Sequence, residues 1–165
     1  MVHEVELGVI FNGLGREHSW LDRIGAYVLL LDMTDRNHLG KAVGKGTPWL
    51  KAKVQDGFLV LGDLIPKERI ADPHNVRLEL KINGEVRQSD ITGNMNFKIN
   101  EQLDYMEENG PITFGEGDLI MTGTPEGIAP VVEGDVLEAA MYCPDDGSLI
   151  SSIRQVIGRE TPPMQ

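Results

Sequence analysis

Residues 76–82, Val76-Arg77-Leu78-Glu79-Leu80-Lys81-Ile82, alternate apolar and charged side chains without a break, and Asn83-Gly84 follows at once. Strict alternation puts the apolar side chains on one face of a strand and the charged ones on the other. Asn-Gly readily supplies the two consecutive positive-φ residues that a two-residue turn between right-twisted strands requires. Glu85-Val86-Arg87-Gln88 is then the returning strand, and 76–88 is a hairpin with one wet face. Its apolar face needs a second layer to cover it. Nineteen glycines and nine prolines scatter further turns along the 165 residues, so the other apolar runs are expected to be short strands too. Aromatic residues make up only 5%, which leaves the core to aliphatic side chains.

The first strand is expected over residues 2–11. There Val5, Leu7 and Val9 share one face, and Glu4 and Glu6 share the other. Residues 26–32 form an apolar run that closes on Asp32 and suits a strand buried on both faces. Further strands are expected at 58–61, 119–121, 136–140 and 148–158. Trp20, Leu21 and Ile24 sit at helical spacing, which predicts a short helix over 17–24 ended by Gly25. Ile99, Leu103 and Met106 predict a longer helix over 96–109, stopped by Gly110. Residues 33–39 enter a short helix or turn, and Gly40 to Gly46 reads as a flexible loop. The fold class is α+β and β-dominated, a rolled or sandwiched sheet with short helices. It is expected as one domain over 1–158, with a disordered tail at 159–165.

Two carboxylates side by side on a strand resist ionising together. Glu4 and Glu6 fit a solvated face, and Asp32 fits a turn, but together the three also suit a hard cation with oxygen ligands. They are the candidate metal site. The net charge is −11, with a pI near 4.7 and no cluster of Lys or Arg, which argues against nucleic acid or an anionic membrane surface as a partner. An anionic substrate would need a local inversion of sign, which a bound cation supplies. No apolar stretch reaches the roughly 18 residues of a membrane span. Cys143 is the only cysteine, so no disulfide forms within the chain, and it is expected to be a bystander in a reducing compartment. No signal or transit peptide is visible. The expected location is the cytoplasm, or the mitochondrial matrix in a eukaryote.

Five motifs then occur in one order: His3-Glu4-Val5-Glu6-Leu7-Gly8; Leu31-Asp32-Met33-Thr34; Gly46-Thr47-Pro48-Trp49 with Ala52-Lys53; Asn83-Gly84-Glu85-Val86-Arg87-Gln88; and Thr122-Gly123-Thr124-Pro125-Glu126-Gly127. Together they resemble the fumarylacetoacetate hydrolase family, nearest its small acylpyruvate hydrolase and oxaloacetate decarboxylase branch. The resemblance implies a mixed β-roll, a homodimer, and one Mg²⁺ or Mn²⁺ on the carboxylates that match Glu4, Glu6 and Asp32. It implies a short 2-oxo acid or 1,3-dicarbonyl substrate whose C–C bond is cleaved by acylpyruvate hydrolysis or oxaloacetate decarboxylation, with an isomerase as a neighbouring option. A cation on the oxo acid's oxygens steadies the enolate that such cleavage leaves.

Within that frame Lys53 offsets substrate charge. Arg36 can clamp a carboxylate with its fork. Thr124 donates from its hydroxyl or backbone N–H, and Gly123 lets the backbone approach. His3 reads as structural, facing away from both glutamates, and His38 as a structural histidine near the loop. Two departures matter. The family's usual Thr-Ala-Arg-Asp-x-Gln reads Thr34-Asp35-Arg36-Asn37-His38-Leu39 here, so Leu39 stands where a substrate-binding glutamine is expected. The family also carries a His-x-x-Glu base in a segment ahead of the first strand, and here that strand starts at residue 2. The alternative expectation is therefore a metal- and metabolite-binding homologue with little turnover.

Overall fold

The computed structural model describes residues 1–110 and 112–158, and the tail expected over 159–165 lies outside them. Among the described residues, eight strands form two four-stranded sheets in which every pairing is antiparallel. The first sheet has the order β3-β2-β1-β6, from Leu59–Pro66, Ile24–Asp32, Val5–Asn12 and Glu116–Met121. The second has the order β5-β4-β7-β8, from Glu85–Ile91, Arg77–Ile82, Val136–Tyr142 and Leu149–Val156. Among the described residues, three α-helices, α1 (Arg36–Lys45), α2 (Leu50–Lys53) and α3 (Ile99–Asn109), and two short 3₁₀ helices at Lys67–Arg69 and Thr92–Asn94 complete the α+β, β-dominated architecture.

The core lies between the sheets, where alternation directs the apolar side chains. Val5, Leu7, Val9 and Phe11 of β1 meet Tyr27, Leu29 and Leu31 of β2, with Leu78, Leu80, Leu137, Ala139 and Met141 from the second sheet. The expected hairpin is present: Asn83 and Gly84 take φ of 52° and 83°, and Leu80 pairs with Gln88 across it. The outer face of the first sheet is also partly apolar. Val28 and Leu30 are buried there beside Gly8, where an added Cβ would overlap Val28, Leu30 and Leu119.

Two local expectations fail for identifiable reasons. Residues 17–24 form no helix: the Ser19 hydroxyl donates to Asp22 and accepts the Asp22 N–H, closing a turn that leads into β2 at Ile24, with Gly25 inside that strand. Gly40 to Gly46 is no loop, because it lies in α1 and at its end. Asp35 caps α1 by accepting from the Asn37 and His38 N–H groups, and Gly46 closes it in the left-handed conformation. No residue of α1 is buried, so caps rather than packing define it. The α3 helix begins at Ile99, later than the pattern suggests. There the Ile99 N–H donates to His74 Nε2 at 3.0 Å and the Lys98 N–H donates to Glu101 at 2.7 Å. Arg23 and Glu107 tie the start of β2 to α3 as an ion pair whose side chains are 6% and 8% exposed.

Candidate metal centre

Glu4, Glu6 and Asp32 converge because two neighbouring strands run antiparallel. Val5 pairs with Leu31, and the Asp32 N–H donates to the Glu4 carbonyl at 2.9 Å, so the three carboxylates share the outer face at one end of β1 and β2. One carboxylate oxygen from each lies within 4.8 Å of the others. Glu6 is 3% exposed. Burial, with Asp32 and Glu4 adding like charge, outweighs the Gly123 N–H and raises the Glu6 carboxyl to about 7.

Lys53 already places one cation among them. Its ammonium donates to Glu4 at 2.8 Å and to Asp32 at 2.5 Å. Burial pulls the ammonium's pKa down, but the bonds to Asp32 and Glu4 outweigh it and hold Lys53 above the usual lysine range. Lys53 ends α2, which is anchored by buried Ala52, whose carbonyl accepts the Asp35 N–H at 3.0 Å. One ammonium against three carboxylates leaves the cluster short of positive charge. An all-oxygen donor set of this kind suits a hard divalent cation such as Mg²⁺ or Mn²⁺.

The 122–127 turn closes the other side. Gly123 has φ of +101°, a region that favours glycine, and its N–H donates to Glu6 at 2.8 Å. The Thr124 hydroxyl donates to the Val5 carbonyl at 2.8 Å and accepts from Gln88 Nε2 at 2.8 Å. Its proton is thereby committed to the backbone, which leaves the Thr124 backbone N–H as the donor available to a substrate. A cavity of about 320 Å³ borders the turn, with Gly123 and Thr124 on one side and Thr92, Asn94 and Asn96 on the other.

Arg36 opens α1 and is exposed. His38 bonds Asp35 at 2.8 Å, and Leu39 is half-buried on the same helix. His3 and Glu6 stand at His-x-x-Glu spacing inside the first strand segment, yet alternation sends them to opposite faces: His3 meets Gln88 at 2.9 Å, while Glu6 meets Gly123. Burial holds the His3 imidazole below its ordinary value. Gln88 is the residue that motif reading leaves without a task. It is 1% exposed and bonds His3, Val5, Thr124 and Pro125. Its signal lay in the hairpin register, which pairs it with core-facing Leu80 and so makes it a buried amide.

A family model described as the C-terminal domain of fumarylacetoacetate (FAA) hydrolase matches residues 1–158. The chain is 44% identical over 156 residues to the mitochondrial oxaloacetate tautomerase oaa1 of Schizosaccharomyces pombe, covering 91% of this chain and 70% of that protein. It is 42% identical over 143 residues to the mitochondrial oxaloacetate tautomerase FAHD1 of Homo sapiens, covering 85% of this chain and 64% of that one. Among solved structures, the fumarylpyruvate hydrolase of Pseudomonas aeruginosa in complex with Mn²⁺ and pyruvate matches with a TM-score of 0.78 at 27% identity, covering 91% of this chain and 64% of that one. The chain therefore spans about two thirds of the length of the relatives it matches.

Proposed function

The chain belongs to the fumarylacetoacetate hydrolase family, and from that premise we propose that it holds one Mg²⁺ or Mn²⁺ on Glu4, Glu6 and Asp32 and acts on a short 2-oxo acid, oxaloacetate first among them. The observation that carries this reading is the cluster of three carboxylate oxygens within 4.8 Å, answered by a single ammonium. A divalent cation bound there acts as a Lewis acid toward the substrate's carboxylate and 2-oxo oxygens, favouring loss of a proton or of CO₂ from the neighbouring carbon. Tautomerisation and C–C cleavage share that demand, and the names of the curated relatives favour the former.

The chain's own residues supply the rest. Lys53 offsets the charge of the bound oxo acid. The Thr124 N–H donates to a substrate oxygen, and Gly123 holds Glu6 in place. Arg36 offers a bidentate fork from the exposed start of α1 to a second carboxylate. Leu59, Leu61, Leu64 and Met121 are exposed on the sheet face that bears the carboxylates, an apolar surface that a second copy buries in a homodimer. No described helix is long and apolar enough to cross a membrane. The names of the mitochondrial relatives favour a mitochondrial site of action.

A second reading, a metal- and metabolite-binding homologue with little turnover, draws on one observation. The four histidines are engaged elsewhere: His3 with Gln88, His18 with Glu17, His38 with Asp35 and His74 with Ile99. None of these contacts brings an imidazole base to the cluster. The deciding experiment follows oxaloacetate in its keto and enol forms with Mg²⁺ or Mn²⁺ against EDTA, with acetylpyruvate in parallel. Metal-dependent conversion above a protein-free metal blank supports the enzyme. No conversion, with a metal-raised melting temperature, supports the binding homologue.

A further inference from the structure

Gln88 belongs to β5 in the second sheet, yet among the described residues its carboxamide bonds to the chain around β1 and to the 122–127 turn. Chemistry fixes which way it points. The Pro125 carbonyl can only accept, so Nε2 faces it at 2.8 Å; the Val5 N–H can only donate, so Oε1 faces it at 3.2 Å. Nε2 donates its second N–H to the Thr124 hydroxyl, which in turn donates its O–H to the Val5 carbonyl. Oε1 also faces His3 Nδ1 at 2.9 Å, and an acceptor there requires the His3 proton on Nδ1. His3 Nε2 is then a bare, buried lone pair, and it has no hydrogen-bond partner among the described residues.

We propose that Gln88 is the positioning residue of the metal centre: by gripping Thr124 and Pro125 it seats the 122–127 turn so that the Gly123 N–H aims the Glu6 carboxylate into the cluster. This rests on the metal-centre reading above. Gln88 touches none of the three carboxylates and acts through the turn. The turn sits on β5 at two successive residues. A Cβ on Gly127 would collide with the Arg87 carbonyl, so glycine permits the close approach there, and the Gln88 amide bonds the turn next to it. A leucine at 88 would leave the Val5 N–H, Pro125 carbonyl and His3 Nδ1 without their partner. A glutamate would set an acceptor against the Pro125 carbonyl.

The test is Mn²⁺ titration, read by the electron paramagnetic resonance of the free ion, on the parent chain, Gln88→Leu and Gln88→Glu. Both variants are expected to bind Mn²⁺ roughly 10–100-fold more weakly, the range for losing a group that orients a ligand. Ile153→Ala is the control. It removes a buried core side chain of β8, away from the 122–127 turn, and it should lower stability while leaving Mn²⁺ affinity as in the parent. A folded Gln88→Leu that binds Mn²⁺ within about twofold of the parent overturns the proposal, as does an equal fall in Ile153→Ala. If the Gln88 variants do not fold, ¹⁵N–¹H correlation on the parent's His3 decides: the Nδ1–H tautomer upholds the wiring, and the Nε2–H tautomer overturns it. A parent chain that binds no Mn²⁺ overturns the metal-centre reading itself, and Gln88's role with it.

Discussion

Two part-buried carboxylate–cation clusters of this molecule differ in their balance of charge. At the junction of β2 and α3, Glu107 meets Arg23, with Arg16 at 3.5 Å, so cations outnumber the anion. At the end of β1 and β2, one ammonium meets three carboxylates. The first calls for no further cation, and the Arg23 guanidinium also lies 5.9 Å above the Phe11 ring, with its buried Nε lacking a hydrogen-bond partner among the described residues. The second keeps an excess of negative charge, which the proposed divalent cation would answer. The two clusters therefore differ in their local sum of charge, and the proposed metal centre is the one whose carboxylates are left unanswered.

The largest break should come at the first cluster. Glu107→Ala strands a buried guanidinium and should cost about 3–5 kcal/mol, measured by urea unfolding, with the same loss in EDTA and in Mn²⁺. A loss that Mn²⁺ relieves would mean that the two clusters are not independent. Next comes the second cluster: Mn²⁺ at 100 times its Kd should stabilise the parent by about 2.7 kcal/mol. Glu4→Ala and Asp32→Ala should abolish the accompanying rise in melting temperature. Retention of the full rise in either variant removes that residue from the ligand set.

Lys53→Met sharpens the contrast further. Without metal it should destabilise by about 1–2 kcal/mol, below the figure for a fully buried pair because Lys53 is partly solvated. It should keep the Mn²⁺ response and weaken oxalate binding, and equal oxalate affinity in calorimetry would exclude Lys53 from the substrate site. The smallest effect is expected from pH, away from both clusters. Burial lowers the His74 pKa below its ordinary value, so the folded state favours the neutral ring, whose Nε2 accepts the Ile99 N–H. That stability is fully present above the unfolded value near 6.5 and is lost as pH falls toward the depressed folded value. The contribution is about 1 kcal/mol, the worth of a helix cap. His74→Asn should flatten this part of the stability–pH curve, and an unchanged slope would refute the assignment.

What could be read in the chain followed the range of the interactions. The Asn83-Gly84 hairpin and the strand faces are set by neighbours in sequence, and both are present as expected. The same alternation put Glu4 and Glu6 on one face, and the apolar run ending at Asp32 supplied the third carboxylate. Local signals misled where a stronger local bond competed. Ser19 and Asp22 make a turn out of a helical spacing, and Asp35 with Gly46 makes a helix out of a glycine-rich stretch. The role of Gln88 was beyond local reading, because its partners lie in distant parts of the chain and meet it only once both sheets have formed.

The spacing of the three carboxylates is a property of the strand ladder. Glu4 and Asp32 face one another across a single pair of strands, and the connection from Gly13 to Arg23 plays no part in setting their separation. That connection is thus free to vary without retuning the centre. It can be lengthened, shortened or recut into new chain ends, provided Arg16 and Arg23 keep Glu107 and Trp20 keeps its place against the core. In such a scaffold the chemistry at one end of β1 and β2 can stay fixed while the hairpin loop at the other end acquires new uses.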